Sequence, residues 1–460
     1  ATGRPAAGRL RRWAAGGWRS RSCGPKLTQL GAAGVKAGRR HAMLSRMQTA
    51  AATADYAARI AFVAELAERL HGYGTTAQRL EGAIDAVAQK LGLECEPWSN
   101  PTGIILSFSD PARPAGESDT TRVIRLQPGE NDLSKLCKVD RIAEEVMAGR
   151  MDVASGHAAL RQLDYPPRTR ALVMQVLGFG LAAAGMAGLL RLPWLDIATA
   201  GITGLLIGLL QPYTGLRPQL REAADAIAGL IAGTVAVLVA AWVGPLNLNT
   251  VIIVSLIVLL PGMSLTNAVN ELTSQHLVSG TARFAGALAT VMKLAVGTMI
   301  ALTIADMLGV VPQVRALRPQ PEWMEWASLL VVAYALAVLF RARSSDYPLV
   351  MASVVAAYAL SKFASAAWGG NVGIFLSALA MTAAGNGYAR WVNRPGALVR
   401  LPGIIVLVPG SASLRGMLDL VQRQDVGVGQ AATLGVINIL LALVAGLLFG
   451  NLLLPTRRNL

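Results

Sequence analysis

The sequence has 460 residues, of which 53% are hydrophobic and only 15% are charged, whereas soluble domains carry about 25% charged residues. This excess of apolar side chains excludes an ordinary soluble protein and indicates an integral membrane protein. The net charge is +15, but residues 1–54 hold eleven Lys or Arg and no acidic residue. The charge is therefore concentrated in one segment, and no nucleic-acid partner is predicted.

The N-terminal segment, residues 1–54, is predicted to be a basic, disordered or non-native leader. It is rich in Ala, Gly and Arg, does not begin with Met, and reaches Met43 and Met47 before an ordinary helical pattern starts. This composition is typical of an upstream extension or a processed segment, and an organellar transit peptide is the alternative. It contains no apolar run of secretory length.

Residues 55–165 are predicted to form a small soluble α+β domain on the cytoplasmic side. Apolar periodicity and turn residues place its helices and strands in the following ranges: helices at 55–71, 75–91 and 133–148, and strands at 93–99, 103–108 and 121–126. We find no nucleophile with a base, no metal-ligand spacing and no phosphate loop. The chain is therefore not expected to be an enzyme, and no cofactor or metal is predicted.

The rest of the chain is a series of apolar blocks separated by short polar breaks. A helix needs about 20 apolar residues to cross a bilayer. Two segments, 247–262 and 398–410, are shorter and end in Pro-Gly. We expect an all-α polytopic membrane domain of about ten transmembrane helices, the other eight lying near 171–190, 194–211, 223–243, 281–304, 326–341, 349–368, 370–388 and 429–453.

The distribution of Lys and Arg in the loops predicts the orientation of the chain. With residues 55–165 inside, the cytoplasmic loops receive more Lys and Arg than the opposite loops, as the positive-inside rule requires. We therefore expect a multi-pass protein of the cell (inner) membrane with both termini in the cytoplasm.

The two short spans share a sequence pattern that indicates an internal repeat. Val258-Leu259-Leu260-Pro261-Gly262 matches Val406-Leu407-Val408-Pro409-Gly410 at an offset of 148 residues. This predicts two five-helix repeats, residues 166–305 and 306–460, which an odd helix count makes inverted. Inverted repeats with broken helices recur in secondary transporters, where the breaks bind substrate. The alternative is that Pro-Gly marks only the end of a membrane helix.

Polar residues beyond each Pro-Gly are the candidate substrate contacts. After Gly262, helical spacing places Ser264, Asn267 and Glu271 on one face, and a helix N-terminus favours a carboxylate. The alternative is an interfacial amphipathic helix that binds nothing. The predicted substrate-binding residues are Pro261, Gly262, Ser264, Thr266, Asn267, Glu271, Pro409, Gly410, Ser411 and Arg415.

Acidic residues in apolar surroundings are candidates for carrying a coupling ion. Glu271 and Asp225 are the two that we select, and Lys293 has a similar apolar setting. Asp196 and Lys362 lie near span ends and are expected to extend towards the membrane surface.

Longer motifs give the chain a family resemblance. From Pro261 to Ala268 it reads PGMSLTNA, from His276 to Arg283 it reads HLVSGTAR, and VLVPGS follows in the second half. In these motifs, and in Leu66–Leu70 and Thr76–Glu81, the chain resembles the threonine/serine exporter family over most of its length. The resemblance implies export of threonine and serine, with protons as the coupling partner, and leaves a homo-oligomer open. Export of a dicarboxylate is the alternative within transport, and a membrane-anchored enzyme or sensor is the alternative outside it.

Overall fold

The structure is a computed structural model that describes residues 55–113, 119–165, 169–314, 319–408, 410, 414–416, 418 and 426–455. The predicted leader, residues 1–54, lies outside the described residues.

The described residues of the N-terminal region, 55–113 and 119–165, form four helices and a small antiparallel sheet of strand order β1-β2-β3. The strands and first three helices lie close to the predicted ranges, whereas α4 was not predicted. The elements are α1 (residues 55–72), α2 (Ala77–Lys90), β1 (Glu94–Asn100), β2 (Gly103–Ser109), β3 (Thr120–Arg125), α3 (Leu133–Met147) and α4 (Val153–Arg161).

Local sequence explains how this region folds. Asp132 caps α3 by accepting a hydrogen bond from the Lys135 backbone N–H at 2.8 Å, and Asp152 caps α4 in the same way. Such caps satisfy backbone donors that the first helical turn leaves free. The helices cover one face of the sheet with fully buried side chains, among them Phe62, Leu66, Leu80, Ile84, Ile104 and Leu106.

The described part of the membrane domain is built of helices, with one isolated β-bridge between Leu246 and Val314. Eight of the described helices are long and apolar enough to cross a membrane, which makes this a multi-pass membrane protein. The helices are α5 (Thr169–Leu189), α6 (Trp194–Leu216), α7 (Pro218–Trp242), α8 (Leu248–Ser255), α9 (Gly262–Thr273), α10 (Leu277–Met307), α11 (Glu322–Leu339), α12 (Tyr347–Trp368), α13 (Gly370–Val392), α14 (Ala397–Ile405) and α15 (Val426–Leu453).

Small residues let two pairs of long helices pack backbone against backbone. A Cβ on Gly229 of α7 would lie 2.3 Å from the Leu294 carbonyl oxygen of α10. Similarly, a Cβ on Gly446 of α15 would lie 2.6 Å from the Ala378 Cβ of α13. Close approach at small residues is how membrane helices gain van der Waals contact when lipid removes the hydrophobic driving force.

The two predicted short spans are broken helices. Helix α8 has 8 residues and α14 has 9, so each rises roughly 12–14 Å where a bilayer core is about 30 Å thick. Neither crosses as one continuous helix. After α8 the chain makes turns before α9 begins at Gly262. The count of ten spans therefore depends on whether each broken segment makes one crossing, and it stays a prediction.

The outer ends of the broken segments are fixed by polar contacts. Before α8, the Asn247 Nδ2 donates to the Asp196 carboxylate at 2.6 Å. Before α14, both terminal nitrogens of the Arg394 guanidinium bind the Asp346 carboxylate at 2.7 Å. Arg394 also approaches Cys137 of α3, so the start of α14 lies at the N-terminal region.

Asp196 and Lys362, which were expected to extend towards the membrane surface, both have partners within the fold. Asp196 is 0% exposed and is bonded to Asn247, so the expectation was wrong for this residue. Lys362 forms an ion pair with Glu325 of α11, whose carboxylate also accepts from the Tyr358 hydroxyl at 2.7 Å. Lys362 itself is exposed, and its extension towards the membrane surface stays a prediction.

Candidate functional site

The two Pro-Gly breaks meet inside the membrane domain. A Cβ built on Gly262 would lie 3.5 Å from the Gly410 Cα and 2.4 Å from the Val408 Cγ1. A Cβ on Gly410 would lie 3.1 Å from the Leu260 Cβ. A larger residue at Gly262 would therefore have to displace the Val408 side chain. Sequence positions 148 residues apart come together at one place.

A cavity of about 350 Å³ lies against this contact. Its volume is within the range of small-molecule sites. Most of the lining is apolar and comes from α5, α11 and the two breaks, with polar side chains concentrated at one end. The lining comprises Ala182, Met186, Leu189, Ile257, Val258, Leu260, Pro261, Gly262, Met263, Ser264, Val332, Leu336, Leu339, Phe340, Ile405, Val406, Val408 and Gly410, with Glu130, Asn131, Gln175 and Arg341 at the polar end.

Arg341 is the central residue of that polar end. It follows α11 with a backbone φ of 51°, a left-handed conformation that side chains other than Gly, Asn and Asp rarely adopt. Its guanidinium donates to the Glu130 carboxylate at 3.0 Å and to the Gln175 Oε1 at 3.3 Å. The Leu133 N–H bonds the Phe340 carbonyl beside it at 3.0 Å. The segment before α3 is thereby held against the cavity.

The predicted site residues divide into those that line this cavity and those that do not. Pro261, Gly262, Ser264 and Gly410 line it. Thr266 is buried and bonds the Gly262 carbonyl of its own helix. Asn267 and Glu271 lie outside the lining, and Arg415 is exposed. Pro409 and Ser411 lie outside the described residues.

Glu271 lies at the contact between α9, α10 and the N-terminal region. Its side chain is 0% exposed. One carboxylate oxygen accepts the Ala77 N–H at 3.0 Å, which is the first backbone donor of α2. The other oxygen accepts from the Ser279 hydroxyl at 2.8 Å and from Arg283 at 3.0 Å. These three donors account for the burial of a charged Glu271 without a substrate.

A second polar contact joins the same surfaces. The His276 Nε2 lies 2.9 Å from the Glu81 Oε2, and Glu81 also accepts from both the backbone N–H and the hydroxyl of Ser99. His71 lies nearby, where burial lowers the pKa of its imidazole while a bond to the Asn100 carbonyl opposes the shift. These contacts fasten α2 and β1 to α9 and α10.

Asp225 is half-buried on α7. Lys293 of the neighbouring α10 is close enough to interact with it electrostatically. Asp225 does not line the cavity.

The cysteines of the N-terminal region show no activation. Burial raises the pKa of the Cys95 thiol to about 12 and that of Cys137 to about 11. Thiols with such pKa values are protonated at neutral pH and react poorly as nucleophiles.

Sequence reasoning missed the polar end of the cavity. Arg341 was counted only as a charge in a cytoplasmic loop, and Glu130, Asn131 and Gln175 were not selected. A signal was present, since Arg341 directly follows an apolar block and Glu130-Asn131 stands in a polar turn before α3. Nothing in the local sequence relates residues that are 211 positions apart.

Comparison with known proteins adds family information to this geometry. A family model described as "Putative threonine/serine exporter" matches residues 61–305. Another, described as "Threonine/Serine exporter, ThrE", matches residues 325–453. An uncharacterized protein of Schizosaccharomyces pombe is 25% identical over 381 residues, which cover 79% of this chain and 49% of that protein. The chain thus spans about half the length of this curated relative, and no solved structure matches it.

Proposed function

Because the chain belongs to the threonine/serine exporter family, we propose that it exports small hydroxylated amino acids through the cavity between its two Pro-Gly breaks. The meeting of the breaks around about 350 Å³ is the observation that supports this most strongly. Backbone groups freed by a broken helix need partners in a membrane. A polar substrate supplies them. We place the protein in the cell membrane with residues 55–165 and both termini in the cytoplasm.

The polar end of the cavity suits a zwitterion. Arg341 can hold a carboxylate through a bidentate pair, and Glu130 can hold an ammonium group. These two side chains now bind each other, so an amino acid would replace the ion pair with two ion pairs of its own. Ser264 also lines the cavity, and its hydroxyl can bond a substrate hydroxyl. In this proposal Arg341 takes the role first given to Arg415.

An inverted repeat would explain how the cavity opens alternately to each side. Corresponding features recur at separations of 147 to 150 residues. Each half has an Arg in left-handed conformation after its first helix and a buried Asp that binds a residue one to three positions before its broken helix. The pairs are Arg191 and Arg341, Asp196 and Asp346, Asn247 and Arg394, and Gly262 and Gly410. Rocking of one repeat against the other is the usual mechanism of such transporters.

Export is proposed to be coupled to protons. Asp225 is the better of the two carboxylates predicted to carry a proton, because it is half-buried inside a membrane helix and makes no hydrogen bond among the described residues beyond its interaction with Lys293. The Glu271 carboxylate already accepts from three donors, and binding a proton there would require these contacts to change.

Efflux from cells loaded with a threonine-containing dipeptide tests the substrate proposal, with succinate followed in parallel. We expect the protein to increase threonine efflux and Arg341→Gln to lower it by at least tenfold, because loss of a charged hydrogen bond costs about 1.5–3 kcal/mol. Arg343→Gln, an exposed Arg two residues away, is the matched control and should transport normally. Efflux of succinate but not threonine would support the dicarboxylate alternative. No difference from empty cells in either flux would exclude both.

A further inference from the structure

Arg191 has the same local setting at one side of the membrane domain as Arg341 has at the other. Both residues follow the first helix of a proposed repeat in left-handed conformation, with φ of 57° and 51°. The Arg341 carbonyl accepts the Ser134 N–H at 3.3 Å, and the Arg191 carbonyl accepts the Gln320 N–H at 2.8 Å. The Arg191 Nε also donates to the Gln320 carbonyl. Each Arg is thus held by backbone contacts with a segment outside its own helix.

The helices that precede these two arginines, α5 and α11, lie side by side in opposite directions. Arg341, after α11, bonds Gln175 of α5. At the other end of the same helix pair, Arg191, after α5, is close enough to Glu325 of α11 to interact with it electrostatically. Gln175 and Glu325 are 150 positions apart, as are Arg191 and Arg341. Arg191 with Glu325 is therefore the counterpart, on the side away from the N-terminal region, of the polar end of the transport cavity.

The cavity does not reach Glu325 in this structure. Helical spacing places Glu325, Ser328 and Val332 on one side of α11, and Val332 lines the cavity whereas the other two do not. Leu189, which lines the cavity from α5, packs with Leu329 in an apolar cluster. Ser328 and Glu325 are each only 7% exposed. The apolar cluster thus closes the cavity on the side away from the N-terminal region.

Glu325 has a cationic partner that another ammonium group could replace. Its carboxylate binds the Lys362 ammonium group and accepts from the Tyr358 hydroxyl at 2.7 Å. An acidic side chain within a membrane helix is costly and usually has a function. The Lys362 side chain is 40% exposed, and ion pairs with an exposed partner contribute little to stability. An incoming ammonium group can therefore take the place of Lys362.

We propose that Arg191 and Glu325 form an exit site for the exported amino acid, on the side of the membrane domain away from the N-terminal region. The inference rests on the proposed function, because it assigns the far end of the same transport path. When Leu189 and Leu329 separate, the cavity extends to Glu325. The substrate ammonium group then binds Glu325, and the substrate carboxylate binds the Arg191 guanidinium. A zwitterion meets an Arg and an acidic residue at both ends of the path.

Cysteine labelling in membrane vesicles tests this exit site. Ser328→Cys places a thiol between Val332 and Glu325, and Asn371→Cys, at the exposed start of α13, is the control for a surface thiol. Vesicles of both orientations are treated with a membrane-impermeant maleimide, and those in which Asn371→Cys reacts present the exit side. Threonine added on that side should slow labelling of Ser328→Cys by about threefold or more, because a bound ligand shields the thiol. Labelling of Asn371→Cys should not change.

Variants of the two charged residues, each made in the Ser328→Cys protein, distinguish ligand binding from a structural role. Arg191→Gln and Glu325→Gln should each remove the protection by threonine. Arg191→Lys should retain part of it, because the positive charge is kept while the bidentate geometry is lost. Asp306→Asn, which changes an exposed acidic residue at the same side of the membrane domain, is the matched control and should leave the protection unchanged.

The outcomes separate failure of the exit site from failure of the proposed function. The exit site is overturned if Ser328→Cys never reacts while Asn371→Cys does, or if threonine protects equally with and without Arg191 and Glu325. Protection by succinate but not by threonine, lost in Arg191→Gln, would support the exit site and overturn threonine as the substrate. Threonine efflux through the protein without any protection of Ser328→Cys would support the proposed function and overturn the exit site.

Discussion

At the scale of residues, Gly262 lies at the contact between the two Pro-Gly breaks. Gly262→Ala would place a methyl group 2.4 Å from the Val408 Cγ1, and overpacking of this kind costs about 1–3 kcal/mol. We expect the variant to be present in the membrane in normal amount but to export at least tenfold more slowly. Efflux normalised to membrane protein is the measurement.

The double variant Gly262→Ala/Val408→Ala supplies the control for this prediction. Removing the two Val408 methyl groups makes room for the new Cβ, so export should recover substantially. Full activity of the single variant would show that the breaks do not need to approach as closely as the structure has them.

Glu271, predicted as a substrate contact and coupling residue, is bonded to Ala77, Ser279 and Arg283 in the structure. Glu271→Gln leaves Arg283 without its buried charge partner, and losing one member of a buried pair costs about 3 kcal/mol. We expect a clear fall in melting temperature, whereas the exposed Glu96→Gln should not change it. If Glu271→Gln instead kept its melting temperature and lost only proton-dependent export, the residue would be a coupling site as the sequence first indicated.

At the scale of elements, an Asp side chain anchors the chain before each broken helix, but the two anchoring contacts differ in strength. Asp346 binds a charged Arg394 with two bonds, whereas Asp196 binds a neutral Asn247. Asp346→Asn leaves a partly exposed cation unpaired and should cost about 2 kcal/mol after allowance for solvent screening. Asp196→Asn should cost less than about 1 kcal/mol, because two amides can still hydrogen-bond. Melting temperatures of the two variants, measured side by side, check the order, and the reverse order would contradict it.

Elements were the best predicted level of the structure, for physical reasons. A long apolar run indicates a membrane helix, and alternation of apolar and polar residues indicates a strand. Both signals are local, so the ranges of α5 to α7, of α10 to α13 and of β1 to β3 follow closely from the sequence. The two short helices were found from their apolar runs, which are too short to span and end in Pro-Gly, although α8 already ends at Ser255 and α14 continues through Pro402-Gly403. Helix α4 was missed because Val153–Arg161 is short and its buried side consists of Gly156 and Leu160, too few positions to establish a period.

At the scale of the whole molecule, the cavity contains four residues that the sequence singled out, Pro261, Gly262, Ser264 and Gly410, and a polar end that it did not. The shared motif related the two breaks in sequence but did not predict that they touch. The ion pair of Arg341 with Glu130 joins the membrane domain to the N-terminal region across 211 positions, and no local pattern encodes such a contact. The N-terminal region therefore contributes residues to the lining of the proposed transport site.

Transport by the purified protein in liposomes tests the central claim most directly. With an imposed pH gradient, labelled threonine should move through the protein in the direction opposite to proton flow. Asp225→Asn should remove the dependence of threonine transport on the pH gradient. Arg341→Gln should abolish transport, while Arg343→Gln should not. Threonine flux equal to that of protein-free liposomes, under a gradient verified by a pH-sensitive dye, would contradict the account.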